Sequence, residues 1–303
     1  MQKVKLNRTD LTVSEVCLGT ADFGTKLDRE AAFAQLDAFT ASGGNFVDTA
    51  NVYSRDWAAD ISRSEEILGQ YRKARPGVEL IIATKGAHPN PSTMHTSRIS
   101  REALTHDIDE SLRTLGLDCI DFYWLHRDNP AMPVSEILGL MEEFVKAGKI
   151  RYYGGSNYTL RRLIEADACA KADGMQGFSA VSNMWSPAVQ NEGFPLSGDD
   201  TLVCFDDSDV QGLASLGMAF IPYSSTAKGW FSKRAAGIAG EKLNAVYENA
   251  ANLALLEKLM AENVPVQTAL LRYMRRFGES HGVQLLPITA CSGMAQLDEV
   301  LRV

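Results

Sequence analysis

Asp48, Tyr53, Lys85 and His126 are the four side chains whose types and placement in this chain suit joint chemistry. Three of them end strand-like apolar runs. Asp48 closes Asn45-Phe46-Val47-Asp48, Lys85 closes Leu80-Ile81-Ile82-Ala83-Thr84-Lys85, and His126 closes Ile120-Asp121-Phe122-Tyr123-Trp124-Leu125-His126. Tyr53 follows Asp48 by one helical turn or so of chain. A carboxylate buried at a strand end loses hydration energy that only a cation or hydrogen-bond donors can replace, and Lys85 is the candidate cation. An ammonium beside a phenol, whose ordinary pKa is near ~10, favours the phenolate and should lower that value toward the working pH. His126 could donate a hydrogen bond to a carbonyl oxygen. Such a group is suited to protonating an oxygen while something else attacks the carbon. The chain lacks HExxH and any Cys/His zinc spacing, so no metal is expected, and a borrowed hydride is the natural attacking group.

For three strand ends to meet, the strands must be parallel and open at one face, and the pattern of the chain supports this. The opening Lys3-Val4-Lys5-Leu6 and Asp10-Leu11-Thr12-Val13 read as a hairpin turning at Asn7-Arg8-Thr9 that caps the structure. After Val16-Cys17-Leu18-Gly19-Thr20, short apolar runs alternate with amphipathic helices. Strand six is expected over Phe178–Asn183, strand seven over Ala219–Ser224 and strand eight over Val283–Ile288. Helices are expected over Asp28–Ser42, Glu65–Arg72, Ser100–Leu115, Val134–Lys146, Leu160–Ala168, Asp209–Leu216, Leu253–Met260, Pro265–Arg275 and Ala295–Leu301. Two long irregular stretches interrupt the alternation: Trp185–Asp200, containing Pro187, Gly193, Pro195 and Gly198, and Thr226–Asn249. Eight strand–helix units predict an α/β chain folded as one (β/α)8 TIM barrel over residues 1–303, with an N-terminal β-hairpin cap and long loops at the C-terminal face. An open doubly wound sheet would carry GxGxxG after an early strand, and the chain has none, so any dinucleotide must be held another way.

Composition narrows the partners. A net charge of -8 with no Lys/Arg block argues against nucleic acid and anionic lipid. Five scattered cysteines without a CxxC pair suit reduced thiols. With neither a signal-like segment nor a spanning apolar run, the expected location is cytoplasmic and the expected partner a small molecule; oligomeric state is not readable from the chain.

Taken together, these residues resemble the aldo-keto reductase superfamily along nearly the whole chain. The resemblance is carried by Leu18-Gly19-Thr20, Phe46-Val47-Asp48-Thr49-Ala50 with Tyr53, and Ser64-Glu65-Glu66-Ile67-Leu68-Gly69. It continues through Ala83-Thr84-Lys85, Trp124-Leu125-His126-Arg127, Gly148-Lys149-Ile150-Arg151 and Gly155-Ser156-Asn157. It implies a barrel that binds a nicotinamide dinucleotide, with Tyr53 as general acid, Lys85 and Asp48 tuning it, and His126 orienting a carbonyl substrate. Ser156 and Asn157 would bond the carboxamide and Tyr223 would stack beneath the ring. Gly19 and Thr20 would flank the cofactor, and Ser224, Lys228 and Gly229 belong to a loop resembling one that covers the pyrophosphate; Lys228 is a phosphate partner or a solvated lysine. Asn183 stands where relatives usually have glutamine, and is a substitute for it or a loop amide satisfying the backbone. Ser292, Gln296 and Glu299 fall in the adenosine-binding turn and last helix. NADPH-preferring members commonly place Lys or Arg in that turn, and this chain does not. NADP(H) is favoured, with NAD(H) open. Trp57, His88, Arg127, Trp185 and Trp230 are candidates for a substrate pocket, with loop packing as the other reading. The expected reaction is reduction of an aldehyde or ketone, sugar-like carbonyls included. The alternatives are sugar modification through transient redox with a recycled cofactor, and a nucleotide-binding regulatory subunit with little turnover.

Overall fold

In a computed structural model the described residues are 1–194 and 197–303; Pro195, assigned above to the first long loop, lies outside them. The chain opens with an antiparallel pair, β1 (Lys3–Lys5) and β2 (Thr12–Ser14). The barrel then follows in order: β3 (Cys17–Gly19), α1 (Arg29–Ala41), β4 (Phe46–Asp48), a small hairpin β5 (Arg55–Asp56) and β6 (Ile61–Ser62), α2 (Arg63–Ala74) and β7 (Ile81–Gly86). Next come α3 (Arg101–Leu115), β8 (Ile120–Leu125), α4 (Val134–Lys146), β9 (Ile150–Ser156), α5 (Leu160–Asp173) and β10 (Ala180–Ser182). The last part contains α6 (Asp207–Gly212) running into a 3-10 turn, β11 (Ala219–Phe220), α7 (Trp230–Ala235), α8 (Glu241–Tyr247), α9 (Ala250–Met260), α10 (Val266–Ser280), β12 (Ile288–Thr289) and α11 (Met294–Val300).

Eight strands form one parallel sheet in the order β11-β10-β9-β8-β7-β4-β3-β12. Its two edges meet: Phe220 N–H donates to Gln284 O at 2.8 Å, Leu286 N–H to Phe220 O at 2.9 Å, and Phe220 pairs with Leu285. The result is a closed (β/α)8 barrel, as expected. The predicted strands six, seven and eight are shorter than their apolar runs. Pro222 has no N–H to give β11, and the eighth run joins the sheet as a ladder only at Ile288 and Thr289. The stretch Thr226–Asn249, expected to be irregular, forms α7 and α8, and the β5–β6 hairpin was not foreseen in the sequence.

Side-chain polarity along each strand explains both core layers. In β7, Ile81 and Ala83 face the barrel interior while Ile82 packs against the helices; in β4, Phe46 faces in and Val47 out; in β8, Phe122 and Trp124 face in, Tyr123 and Leu125 out. With a period of two, the next inward positions at the carboxyl ends are Lys85, Asp48 and His126. At the other end, Leu6, Leu11 and Val13 of the first hairpin join the interior cluster, so the hairpin closes the barrel floor. Helix starts are set by local caps: Asp28, Ser62, Ser100 and Thr159 each accept the N–H three residues on. Among the described residues no helix is long and apolar enough to cross a membrane.

Candidate active site

Lys85 is the hub of the mouth. Its ammonium donates to Asp48 Oδ2 at 2.5 Å, to Thr49 O at 2.8 Å and to Tyr53 Oη at 3.0 Å, which uses all three of its protons. Asp48 and Lys85 are each only 2 % exposed. Burial raises Asp48 above the ordinary carboxylate range while Lys85 opposes it; burial acts to lower Lys85, but Asp48 and Tyr53 outweigh it and Lys85 lies above its ordinary value. Thr20 and Ser64 fix the strand end behind Asp48, with Thr20 Oγ1 2.9 Å from Asp48 O and 2.7 Å from Ser64 Oγ.

Tyr53 corrects one expectation. Its pKa is raised, because burial outweighs the downward pull of Lys85. The phenol therefore holds its proton firmly, and Lys85 acts by favouring the phenolate that would remain once the proton leaves. His126 lies edge-on to Tyr53, with ring centroids 6.0 Å apart. Burial first, then His88, Lys85 and Arg127, hold His126 well below its ordinary pKa, so its ring is neutral. Its Nδ1 is buried without a partner, which leaves Nε2 as the nitrogen able to meet a ligand.

The residues expected at the nicotinamide end converge, though not all face outward. Asn157 is left-handed at φ 63°, and its side chain bonds His126 O (3.1 Å) and Ser156 Oγ (3.2 Å) while accepting from the Tyr223 hydroxyl (2.6 Å) and Val203 N–H (3.1 Å). Ser156 Oγ donates to Ser182 O at 2.8 Å. Asn183 is fully buried: it accepts from the backbone N–H groups of Asn157 and Tyr158 and donates to Tyr158 O at 2.7 Å. Of its two sequence readings, the backbone-satisfying amide is the one observed, and Asn183 serves to hold Asn157. Gly19 and Thr20 are likewise buried, at the last residue of β3 and the one after it.

At the far end, Ser224, Ala227, Lys228 and Gly229 all have positive φ. A Cβ at Gly229 would stand 3.9 Å from both Gln296 Nε2 and Lys233 Nζ, so this loop lies against the first turn of α11. Lys233 also donates to Lys228 O at 2.9 Å. Ser292 donates through both N–H and Oγ to Gln296 Oε1, at 2.7 and 2.9 Å. Glu299 accepts through its carbonyl from Thr268. Lys233 was not singled out from sequence, because the base that approaches Gln296 comes from α7, far from it in the chain. The Lys233 ammonium beside backbone with left-handed turns offers donors of the type a dinucleotide diphosphate would need.

The proposed pocket residues divide. His88 packs edge-on against His126 at 4.6 Å. Arg127 is 7 % exposed and ties the first long loop to the mouth, with Nε donating to Thr201 Oγ1, Nη1 to His126 O and Nη2 to Asp199, each at 2.9 Å. Beside it is a cavity of about 360 Å³ lined by Pro89, Arg127, Asn157 and Thr201, among others. Trp57 stands exposed on the β5–β6 hairpin with the Arg55 guanidinium 5.6 Å from its ring. Trp230 is fully buried against Phe231 and Tyr247 and offers no surface to a ligand. Trp185 is buried against Phe220 and Phe277, donates to Asp207 at 3.0 Å, and borders a separate cavity of about 720 Å³ with Met184, Leu202 and Phe205. Trp230 therefore belongs to packing, as its second reading allowed, while Trp185 both packs and lines this cavity.

Behind the mouth lies a polar layer that the sequence reading missed. Asp107, 2 % exposed on α3, takes both arms of Arg98 and the Ala87 N–H, and Arg98 also donates to His88 O at 3.1 Å. Arg55 and Glu110 form a buried pair that Asn51 joins. The available signal was an acid on an apolar stripe: Leu104, Asp107, Ile108 and Ser111 share one buried helix face.

The family model described as Aldo/keto reductase family matches residues 15–303. The chain is similar to the "Uncharacterized oxidoreductase YrpG" of Bacillus subtilis, at 30% identity over 61% of this chain and 58% of the relative. It is similar to "Norsolorinic acid reductase B" of Aspergillus parasiticus, at 27% over 73% and 56%, and to "Aryl-alcohol dehydrogenase [NADP(+)]" of Phanerodontia chrysosporium, at 29% over 60% and 50%. The matched part of the chain thus spans about half the length of these curated relatives.

Proposed function

The chain belongs to the aldo/keto reductase family, and from that premise we propose that it reduces an aldehyde or ketone to an alcohol, with Tyr53 giving the proton to the oxygen. The observation that carries this reading is the single ammonium shared between Asp48 Oδ2 and Tyr53 Oη. A bound nicotinamide would supply the hydride. Ser156, Asn157 and Tyr223 would hold its ring end, and the loop of Ser224, Lys228 and Gly229 with Lys233, Ser292 and Gln296 would hold its phosphates. NADP is favoured over NAD, since one similar protein carries NADP(+) in its name and the Lys233 ammonium and Gln296 flank the same glycine, Gly229.

In this reading a carbonyl oxygen sits between Tyr53 Oη and His126 Nε2. Tyr53 arrives protonated, because burial raises its pKa. As negative charge grows on the carbonyl oxygen, the proton moves from Oη to that oxygen, and the phenolate left behind faces Lys85 Nζ at 3.0 Å. Asp48 keeps Lys85 charged and aimed. His126, neutral, contributes a hydrogen bond without competing as an acid. Replacing Tyr53 by Phe keeps the ring and deletes the proton. Turnover of an aromatic aldehyde should fall by several orders of magnitude while nucleotide binding, followed by tryptophan fluorescence, is retained; turnover near the parent level would reject Tyr53 as the acid.

A further inference from the structure

His88 is held with unusual care for a loop residue. Ala87 before it adopts a left-handed φ of 55°, which a residue with a Cβ rarely does, and its N–H is anchored by Asp107 at 2.8 Å. Arg98, itself gripped by Asp107 through two nitrogens, donates to the His88 carbonyl. Together these contacts fix the backbone on both sides of the residue. The ring is fixed as well: Nδ1 lies 2.6 Å from Pro89 O. A carbonyl can only accept, so Nδ1 carries the proton and Nε2 is left with its lone pair. Burial first, then Arg127, holds the ring below its ordinary pKa and so neutral. The ring centroid is 4.6 Å from that of His126.

We propose that His88 is a specificity-determining residue whose Nε2 accepts a hydrogen bond from a hydroxyl on the carbon next to the reacting carbonyl. The inference rests on the reading of Tyr53 and His126 given above. His88 is half-buried and its ring meets that of His126 edge-on, so a small substrate with its carbonyl oxygen at His126 would bring the adjoining carbon beside the His88 ring. A lone pair selects a donor, hence a hydroxyl, and turns away a carboxylate. Arg127 is already engaged as well: three of its five N–H groups donate to Thr201, His126 O and Asp199, and the Asp199 carboxylate offsets its charge. The substrate class is therefore a neutral hydroxy-aldehyde or hydroxy-ketone.

The test compares glyceraldehyde, which bears the hydroxyl, with propionaldehyde and 4-nitrobenzaldehyde, which do not, in the full chain with NADPH. His88→Ala should lower kcat/KM for glyceraldehyde on the order of 10-fold or more. The ratio of kcat/KM for glyceraldehyde to that for the two aldehydes without the hydroxyl should fall on the order of 10-fold, any change common to all three reporting loss of the ring packed against His126. His88→Gln, which restores an acceptor oxygen, should recover part of the loss. Equal changes for all three aldehydes, or none for any, would overturn the role of His88 while leaving the Tyr53 reading intact. A parent protein that reduces none of the three overturns both.

Discussion

At the scale of single residues, the molecule contains an acid that the chemistry of the mouth does not use. Glu65 is fully buried behind β7, where Thr84 Oγ1 donates to its Oε1 at 2.5 Å and its Oε2 has no partner. Burial pushes its pKa up to about 7, against the pull of the Thr84 and Ser111 hydroxyls. The unfolded chain releases this proton near the ordinary value of 4.5, whereas the folded chain keeps it until about 7. Between those values the folded state binds more protons, so the contribution of Glu65 to stability falls as pH rises through that window, by on the order of 3 kcal/mol in all. Glu65→Gln should remove that slope. Urea unfolding at pH 5.5 and pH 8 should show the variant gaining on the parent as pH rises; a gap that is the same at both values would count against the buried acid.

At the scale of elements, the site depends on where β7 ends. Gly86 follows Lys85, and a Cβ there would overlap the Tyr123 hydroxyl and come within 2.9 Å of Asp107 Cβ. Neither neighbour is a loose surface tip. Gly86→Ala must therefore push β7 or α3 aside, at a cost of about 1–3 kcal/mol, and Lys85 moves with it. Thermal unfolding and kcat should fall together in this variant; loss of stability with kcat unchanged would show that the lysine is positioned from elsewhere. The period of two was legible in the chain: Asp48, Lys85 and His126 were recognisable because each follows alternating inward residues at the end of an apolar run. Asp107, Arg98 and Lys233 were not, since each acts across a gap of loop or helix that no local pattern encodes. Asn183 and the two buried tryptophans show the same limit, because position beside a strand end does not say which way a side chain turns. The helices α7 and α8 escaped notice for a different reason: they are six and seven residues long, too short to display a clear period.

At the scale of the whole molecule, the floor of the barrel is supplied by the N-terminal hairpin, which lies ahead of the region matched by the family model. Leu6 is fully buried there. Leu6→Ala should cost about 2–5 kcal/mol through the cavity it leaves, while kcat at low temperature stays near the parent value, because the mouth is at the opposite end of the strands. Denaturant titration and steady-state rates on the same preparation test both halves; unchanged stability would mean the floor is not closed by this residue. The hairpin is held from far along the chain: Asn7 N–H donates to Gln284 Oε1 and Gln284 Nε2 donates to Lys5 O, both at 2.8 Å, while Arg275 pairs with Glu15. The hairpin's hydrogen bonds to Gln284 thus bridge sequence separations of 277 and 279 residues, contacts of the most non-local kind. The seal of the barrel is also a mark of its completion: the hairpin's bonds to Gln284 form only once the eighth strand-like run is in place.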